Sequence, residues 1–374
     1  MPNCISHNNF GCFEDLAAKI ASGSRLTFEY GVRLFQSNDV ILLGKLADFA
    51  RVLRLQHAGR EQEKDYVYWI NNHHLNLTNI CEGKCRFCAY RQESEHPKAF
   101  FMSLDKALDY IKNNVSKEAK EIHIVSAINS RCNLDYYVEL FKQTRQILPN
   151  THIQALTAVE IEYLSRLSGL SVQAVLEKLA EAGLGSIPGG GAEIFAPHIR
   201  QQVCPEKIPG EKWLEVMSVA HKGGIKSNAT MLTGIGESYE DRLDHMIKIR
   251  ELQDKTNGFM SFIPLFCHYE GTELKKQTHT GVEIFKTYAL SRLMLDNVPH
   301  LKAFRIQVGI PLAQLSLAFG VDDIDGTVVE EKITKSAGAK SSQSISKDEL
   351  LHLIRNAGKI PVERGTLYNV IKVY

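Results

Sequence analysis

The stretch NLTNICEGKCRFCAYRQ, residues 76–92, places Cys81, Cys85 and Cys88 within an eight-residue span of a chain that has eight cysteines altogether. It overlaps the end of a run, YVYWINNHHLNL at residues 66–77, whose apolar and aromatic residues predict a β-strand. The residues between the cysteines are mostly charged or glycine, which is not typical of a packed core. The spacing therefore indicates a site that uses three thiols, placed just after a strand.

The cysteine triplet has three possible explanations. Structural zinc usually takes four protein ligands in two separated pairs, and the neighbouring His73 and His74 fall on the predicted strand. Incidental core cysteines would not be separated by Glu82, Lys84 and Arg86. A [4Fe–4S] cluster with three thiolate ligands fits the spacing and leaves one iron open to a small molecule. The residues favour the cluster, with zinc as the alternative.

Composition and charge describe a neutral α/β protein. The chain has 374 residues, 44% of them hydrophobic, which is enough to bury a large core. Its 44 lysines and arginines balance 43 aspartates and glutamates, so no nucleic-acid partner is expected. The beginning of the chain lacks a secretory-signal pattern, and no run reaches the roughly 18 apolar residues of a membrane span. The other five cysteines are scattered, which predicts a cytoplasmic protein in a reducing compartment.

From residue 66 onwards, short apolar or β-branched runs alternate with longer amphipathic stretches. The predicted strands are YVYWINNHHLNL (66–77), EIHIVSAI (121–128), HIQALTA (152–158), LGSIP (184–188), SNATML (227–232), FMSFIPL (259–265), LKAFRIQ (301–307) and DDIDGTV (322–328). Helical patterns such as DYYVELFKQTRQIL lie between them. This alternation predicts parallel βαβ units and an α/β fold of the (β/α)8-barrel type, whose chemistry lies at the C-terminal ends of its strands.

Two further segments flank the predicted barrel, which spans residues 66–330. Residues 1–65 form a predicted helical N-terminal segment, in which DVILLGKLADFARVLRLQHAG has apolar residues close to a helical period. Residues 331–374 form a predicted C-terminal extension that packs on the barrel. Within it, Ser346 and Glu349 have the capping-box spacing that opens a helix.

The cysteine stretch and two other segments resemble one known family. CEGKCRFCAY has the CxxxCxxC signature of radical S-adenosylmethionine (SAM) enzymes, including the aromatic Phe87 before the last cysteine. SIPGGGAEIFAPHIR and VERGTLYN are similar to segments of the aminofutalosine synthases within that superfamily. The resemblance implies a radical SAM barrel and a [4Fe–4S] cluster held by Cys81, Cys85 and Cys88. It also implies SAM at the open iron, consumed as a co-substrate.

The resemblance also assigns residues to the binding of SAM. The implied cofactor-binding residues are Phe87, Gly189, Gly190, Gly191, Glu193 and Arg200. Glycines at this rim let the backbone approach a ligand closely, although a tight turn alone would also need them. Family members use a carboxylate and an arginine in this region for the amino, ribose and carboxylate groups of SAM. Arg200 could equally be a solvated helix residue.

The family reaction adds the 5′-deoxyadenosyl radical to the double bond of 3-[(1-carboxyvinyl)oxy]benzoate and yields aminodeoxyfutalosine and bicarbonate for menaquinone synthesis. The sequence departs from the family at three predicted strand ends, SAINSR (126–131), TGI (233–235) and FRIQ (304–307). Because the substrate carries two carboxylates, Arg131 and Arg305 in the altered segments are predicted to be catalytic residues that bind them.

Two other functions remain open from the sequence. The same cofactors could serve a related radical SAM cyclase, or a divergent paralogue that acts on another molecule. Alternatively, the cysteines could hold zinc or a structural cluster in a protein without catalytic activity. The expected partners are a small carboxylated aromatic substrate and an electron donor of the flavodoxin or ferredoxin type.

Overall fold

Strands from residue 72 onwards form the central sheet of the computed structural model, which describes residues 10–276, 279–339 and 344–374. The strands are β1 (Tyr66–Ile70), β2 (Asn72–Leu75), β3 (Glu121–Ile124), β4 (His152–Ala155), β5 (Leu184–Ile187), β6 (Lys226–Thr233), β7 (Phe259–Phe266), β8 (His300–Leu301), β9 (Asp323–Gly326), β10 (Ile360–Arg364) and β11 (Val370–Val373). β2 to β8 form a seven-stranded sheet in chain order, and every neighbouring pair is parallel. This arrangement confirms the predicted α/β barrel class.

Helices connect most of these strands and pack side by side around the sheet. They are α1 (Glu14–Ala21), α2 (Phe28–Gln36), α3 (Val40–His57), α4 (Leu104–Asn114), α5 (Leu134–Ile147), α6 (Ala158–Ser168), α7 (Val172–Ala182), α8 (Pro197–Val203), α9 (Gly210–Lys222), α10 (Tyr239–Thr256), α11 (Gly281–Met294), α12 (Arg305–Val308), α13 (Ile310–Ser316), α14 (Ile333–Ser336) and α15 (Lys347–Asn356). α4 packs against α5, α5 against α7, α7 against α9, and α9 against α10. No helix in the described ranges is long and apolar enough to cross a bilayer.

The residues that follow β8 close the gap between the two ends of the curled sheet. Lys302 forms a parallel bridge with Asp323, and Val329 forms a parallel bridge with His73 of β2. The Ala303 amide donates to the Asp323 carbonyl oxygen at 2.8 Å. The segment 323–329 therefore links β8 to β2, and it takes the place of an eighth strand that is continuous with the sheet.

A second, four-stranded sheet has the order β11-β10-β1-β9. β1 pairs in parallel with both β9 and β10, so the first strand and the end of the chain form one sheet. α2 and α3 pack against α11 on the outside of the barrel. Residues 1–9 of the predicted N-terminal segment and 340–343 of the predicted extension lie outside the described residues.

Two of the predicted strands differ from the structure. The run 66–77 is divided between two sheets, since β1 belongs to the four-stranded sheet and β2 to the seven-stranded sheet. The chain changes sheets at Asn71, and the next side chain, Asn72, accepts a hydrogen bond from the Val328 amide. The run 301–307 has only Leu301 in a strand, and its end forms α12. The tertiary contacts of the fully buried Arg305 at the start of α12 outweigh the strand-like pattern of the sequence.

Candidate active site

One cavity of about 390 Å³ lies inside the barrel. Side chains of the central strands form its lower wall, and the segments that follow the C-terminal ends of β2, β3, β5, β7 and β8 form its mouth. This is the end at which barrels of this type carry their chemistry. The predicted site residues in its wall are Cys81, Cys85, Phe87, Cys88, Gly190, Gly191 and Glu193.

The cysteine loop, residues 81–88, follows β2 and has neither helix nor strand. Its backbone is held by neighbouring segments instead. The Glu82 amide donates to the Ile128 carbonyl oxygen, and the Arg86 amide donates to the Val203 carbonyl oxygen, both at 2.9 Å. Hydrogen bonds to two separate segments fix the path of a loop that regular structure does not stabilise. The thiols are therefore held in place by the barrel around them.

The arrangement of the three thiols suits a cluster. Each cysteine of the triplet is partly exposed and lines the cavity, and no described cysteine is bonded to another. Across the described ranges, no three His, Cys, Asp or Glu side chains meet closely enough to hold a single metal ion. A [4Fe–4S] cluster needs a wider arrangement, because each of the three thiolates binds a different iron. The residues present therefore fit the cluster.

Lys207 carries the positive charge that faces the cysteine loop. Burial raises the pKa of the Cys85 thiol to about 12 and also raises the pKa of Cys81, whereas the charge of Lys207 acts in the opposite direction on both. The Lys207 ammonium forms an ion pair with Glu193 and lies 5.2 Å from the centre of the Phe87 ring. Because cluster ligands must be deprotonated, a cation at this position favours the thiolate form.

The glycine run has different roles at different positions. Gly189 and Gly191 have φ angles of 85° and 81°, which L side chains rarely adopt. A Cβ atom on Gly189 would lie 2.2 Å from the backbone oxygen of Asn228, and one on Gly191 would lie 2.6 Å from Cγ2 of Val159. Gly190 and Gly191 line the cavity, whereas Gly189 lies outside the wall formed by the described residues. Close backbone packing therefore explains Gly189, and the two later glycines leave space beside the cysteine loop.

Arg200 is buried and contacts the backbone behind the cavity wall. Its guanidinium donates to the carbonyl oxygens of Ala192 at 2.6 Å and Ile194 at 3.1 Å, and also to that of Ile208. These bonds support the segment that carries Glu193 rather than placing the guanidinium in the described wall of the cavity. Direct contact between Arg200 and SAM stays a prediction.

Arg131 and Arg305 also lie outside the cavity wall that the described residues form. Arg131 is exposed, and its Cζ lies 3.6 Å from the centre of the Phe101 ring. Arg305 is fully buried and donates to the carbonyl oxygen of Gly326 at 3.1 Å. The structure does not bring these two arginines to the cysteine loop, and their catalytic role stays a prediction.

Sequence reasoning missed a set of polar residues deep in the cavity. His74, His123 and Gln154 are register partners on β2, β3 and β4. Lys302, directly after β8, and Asp325 of β9 line the cavity with them. We call these five residues the polar floor. The signal was present in the sequence, because polar residues recur at every second position of EIHI and HIQA, which places them on one face of each strand.

Two family models match the chain. The model of the Radical SAM superfamily matches residues 75–249, and the model of the CofH/MqnC C-terminal region matches residues 256–374. The first match includes the cysteine loop and the glycine run, and the second includes the polar residues that follow β8. The two matches together therefore include every described residue of the cavity wall except His74, which directly precedes the first match.

Relatives and solved structures agree with these models. The chain is 38% identical over 364 residues to aminodeoxyfutalosine synthase of Thermus thermophilus, with 96% of both chains covered. It is 37% identical over 376 residues to aminodeoxyfutalosine synthase of Streptomyces coelicolor, with 97% of this chain and 95% of the relative covered. The crystal structure of methylornithine synthase matches the fold with a TM-score of 0.71 at 15% identity, covering 92% of this chain and 97% of that chain. The chain therefore belongs to the radical SAM superfamily, in the family of [4Fe–4S]- and SAM-dependent enzymes that includes aminodeoxyfutalosine synthase.

Proposed function

We propose that this radical SAM enzyme is an aminodeoxyfutalosine synthase. In the proposed reaction, the 5′-deoxyadenosyl group of SAM is joined to the enol-ether double bond of 3-[(1-carboxyvinyl)oxy]benzoate. One water is consumed as the carboxylate of the enol ether leaves as bicarbonate, and the other products are aminodeoxyfutalosine and methionine. The reaction would serve the synthesis of menaquinone.

One cavity that contains both the cysteine loop and the polar floor is the observation that carries the proposal. Its mouth has the thiols, two glycines and Glu193, which suit a cluster and the amino-acid end of SAM. Its floor includes the buried Lys302, a cation suited to a carboxylated molecule. The similarity to two aminodeoxyfutalosine synthases along nearly the whole chain supports the choice of reaction.

The bound cluster and SAM supply the adenosyl radical, and the protein supplies binding, orientation and exclusion of water. The triplet would hold the cluster, and Gly190 and Gly191 leave space for SAM beside it. Glu193 would accept hydrogen bonds from the amino group of SAM, in exchange for its ion pair with Lys207. The apolar side chain of Leu265 in the cavity wall would keep water from the reacting double bond.

The test is an anaerobic reaction of cluster-loaded protein with SAM, a reductant and 3-[(1-carboxyvinyl)oxy]benzoate, followed by mass spectrometry. We expect aminodeoxyfutalosine in amounts that match the methionine released. Cys85→Ala is the matched negative control, because it removes one cluster ligand and leaves the rest of the chain unchanged. Absence of the adduct with the parent protein, while SAM cleavage continues, would contradict the proposal.

The same reaction mixture separates the other functions. Free 5′-deoxyadenosine as the main product would indicate hydrogen abstraction, as in a related cyclase or a paralogue with another substrate. A protein that binds zinc instead of iron after anaerobic reconstitution would indicate the non-catalytic alternative. Metal analysis and product analysis together therefore distinguish all three.

The predicted roles of Arg131 and Arg305 are tested by Arg131→Ala and Arg305→Ala. If these side chains bind the substrate carboxylates, turnover should fall at least about 10-fold while uncoupled cleavage of SAM continues, since a charge-assisted hydrogen bond contributes about 1.5–3 kcal/mol. Thermal unfolding of Arg305→Ala is the necessary control, because this side chain is fully buried. Unchanged turnover in a folded variant would exclude that arginine from substrate binding.

A further inference from the structure

We propose that Lys302 and His74 form a carboxylate-binding subsite at the polar floor, which holds the ring carboxylate of an aromatic substrate. The subsite lies at the end of the cavity opposite the cysteine loop. This inference rests on the proposed function, because that function supplies the substrate class. It assigns specificity to two residues outside the positions that the sequence singled out.

Lys302 differs from the other cations of the cavity wall. Of the three lysine and arginine side chains among its described residues, Arg91 and Lys207 each form an ion pair with a neighbouring glutamate. Lys302 is only 7% exposed and also forms an ion pair, with Asp325, but at 3.6 Å this contact is too long to be a hydrogen bond. The ammonium donates no hydrogen bond to any residue that the structure describes. Its three N–H donors therefore lack protein acceptors, which is costly for a buried charge unless a ligand or water supplies them.

His74 supplies a second hydrogen-bond donor to the polar floor, in addition to Lys302. Its ring stacks on that of His123 with centres 4.5 Å apart and an angle of 19° between the planes. Within the described part of the chain, neither ring nitrogen of His74 has a hydrogen-bond partner. Burial lowers the pKa of His74 well below its usual value, so the ring is neutral and carries one N–H donor. A carboxylate with one oxygen towards each side chain would satisfy both Lys302 and His74.

Two carboxylates also face the floor and oppose an anion. Asp325 is the closer of them to Lys302. Glu121 lies below, 3.9 Å from Nδ1 of His123. Burial raises the pKa of Glu121, but the surrounding His123, Lys302 and Arg364 side chains lower it by more, so its pKa lies below the usual value. Both carboxylates repel a bound anion, so removing the negative charge of either one should strengthen anion binding at the subsite.

The walls above the floor fit the rest of an aromatic molecule. Val125 comes two residues after His123, just beyond the end of β3, and Phe304 comes two residues after Lys302, beyond the end of β8. Both belong to segments that follow the C-terminal ends of their strands, and both line the cavity. The cavity is therefore charged at its floor, apolar in the middle and open to the cysteine loop at its mouth. An aryl carboxylate bound to the floor would place its ring in the apolar middle and its reactive group towards the mouth.

The test compares two ligands that differ only in the ring carboxylate, 3-[(1-carboxyvinyl)oxy]benzoate and 2-phenoxyacrylate. Their affinities are measured anaerobically by calorimetry on cluster-loaded protein with SAM and no reductant. We expect the parent to prefer the benzoate at least about 10-fold, the ratio that a charge-assisted hydrogen bond provides. Lys302→Met should abolish this preference and leave the affinity for 2-phenoxyacrylate unchanged.

The Asp325→Asn variant tests the subsite independently of Lys302→Met. Asp325 has a φ of 68°, a conformation that asparagine tolerates, so this variant should fold. Removing the opposing charge should tighten binding of the benzoate several-fold and leave 2-phenoxyacrylate unchanged. Lys212→Met is the matched control, because Lys212 pairs with Glu215 on the surface. It should preserve the preference of the parent.

The outcomes separate the subsite from the proposed reaction. A parent that binds both ligands equally or binds neither, or a preference that survives Lys302→Met, overturns the subsite. If Lys302→Met fails to fold, unchanged affinity in Asp325→Asn overturns it instead. Binding of the benzoate that depends on Lys302, without aminodeoxyfutalosine after reduction, supports the subsite and contradicts the proposed reaction. If aminodeoxyfutalosine forms but both ligands bind equally well, the result supports the proposed reaction and contradicts the subsite.

Discussion

Cys85 is the middle ligand of the triplet, and its replacement separates a cluster site from an accidental grouping of thiols. Cys85→Ala should abolish cluster absorbance and SAM cleavage, whereas the parent should bind about four irons per chain. Cys204→Ala is the matched control, because Cys204 is a buried thiol that does not belong to the triplet. Iron analysis after anaerobic reconstitution makes the comparison. SAM cleavage by Cys85→Ala at the parental rate would refute the cluster assignment.

Glu193 should affect SAM without affecting the cluster. Glu193→Gln keeps the shape of the side chain but removes the charge that pairs with Lys207. We expect SAM to bind about 1–3 kcal/mol more weakly, the usual cost of leaving a buried partner unsatisfied. Iron content should equal that of the parent. Calorimetry with SAM measures the change, with Glu215→Gln on the surface as control, and equal affinity would remove Glu193 from the SAM site.

Single residues of the site differed in how far the sequence could predict them. The triplet was evident because its ligands lie within one loop, so their spacing reflects the chemistry directly. Lys302 and His74 are 228 positions apart, and only the barrel brings them to one level. Arg200 and Arg305 have the charge expected of ligand-binding residues, but the fold uses both guanidiniums to bind backbone carbonyl oxygens.

Among the elements, the turn after β5 and the turn between α9 and β6 offer a matched pair of glycines. Gly189 and Gly224 have φ angles of 85° and 83°, so alanine strains both backbones equally. A Cβ atom on Gly224 would meet nothing within 4 Å, whereas one on Gly189 would lie 2.2 Å from a backbone oxygen of β6. Gly224→Ala should lower the free energy of unfolding by about 1–2 kcal/mol. Gly189→Ala should cost clearly more in chemical denaturation, and equal losses would show that the turn can relax away from β6.

The sequence predicted helices and strands correctly where the local residue pattern alone determines the structure. The capping box predicted at Ser346 is present and opens α15, because both of its hydrogen bonds are local. The run 66–77 was read as one strand, since nothing in its residues shows that β1 and β2 have different partners. β1 is completed by β9 and β10, whose sequence separation from β1 is beyond any local pattern.

At the scale of the whole molecule, buried histidines should make the protein sensitive to mild acid. Burial lowers the pKa of His221 to about 4 and that of His245 to about 3, while histidine in an unfolded chain titrates near 6.5. Below about pH 6.5 the unfolded chain therefore binds protons that the folded protein does not. The free energy of unfolding should fall by about 1.4 kcal/mol per pH unit for each such histidine, down to its folded pKa. Glu160 has the opposite effect on the pH dependence of stability, because burial raises its pKa to about 7 in the folded protein.

Urea denaturation at a series of pH values between 7.5 and 5 measures this dependence. His221→Gln should reduce the slope of the free energy of unfolding against pH by close to the contribution of one proton. This change in slope is independent of the effect of the substitution on stability at neutral pH. His198→Gln, at an exposed position, is the control for replacing a histidine that is not buried. A stability that stays constant between pH 7 and 5.5 would mean that the buried histidines are protonated in the folded protein.

The pairing of β1 with β9 and β10 has a consequence for synthesis on the ribosome. β1 leaves the ribosome well before its partners at residues 323–326 and 360–364, which are made roughly 250–290 residues later. At about 5–20 residues per second, β1 waits roughly 15–60 s for a partner strand. The segment that closes the barrel is translated equally late. The nascent chain therefore carries an open strand edge and an unfinished cluster pocket until β9 and β10 have been made. Synthesis of these two strands, rather than emergence of the cysteines, is then the point at which a protected cluster can first exist.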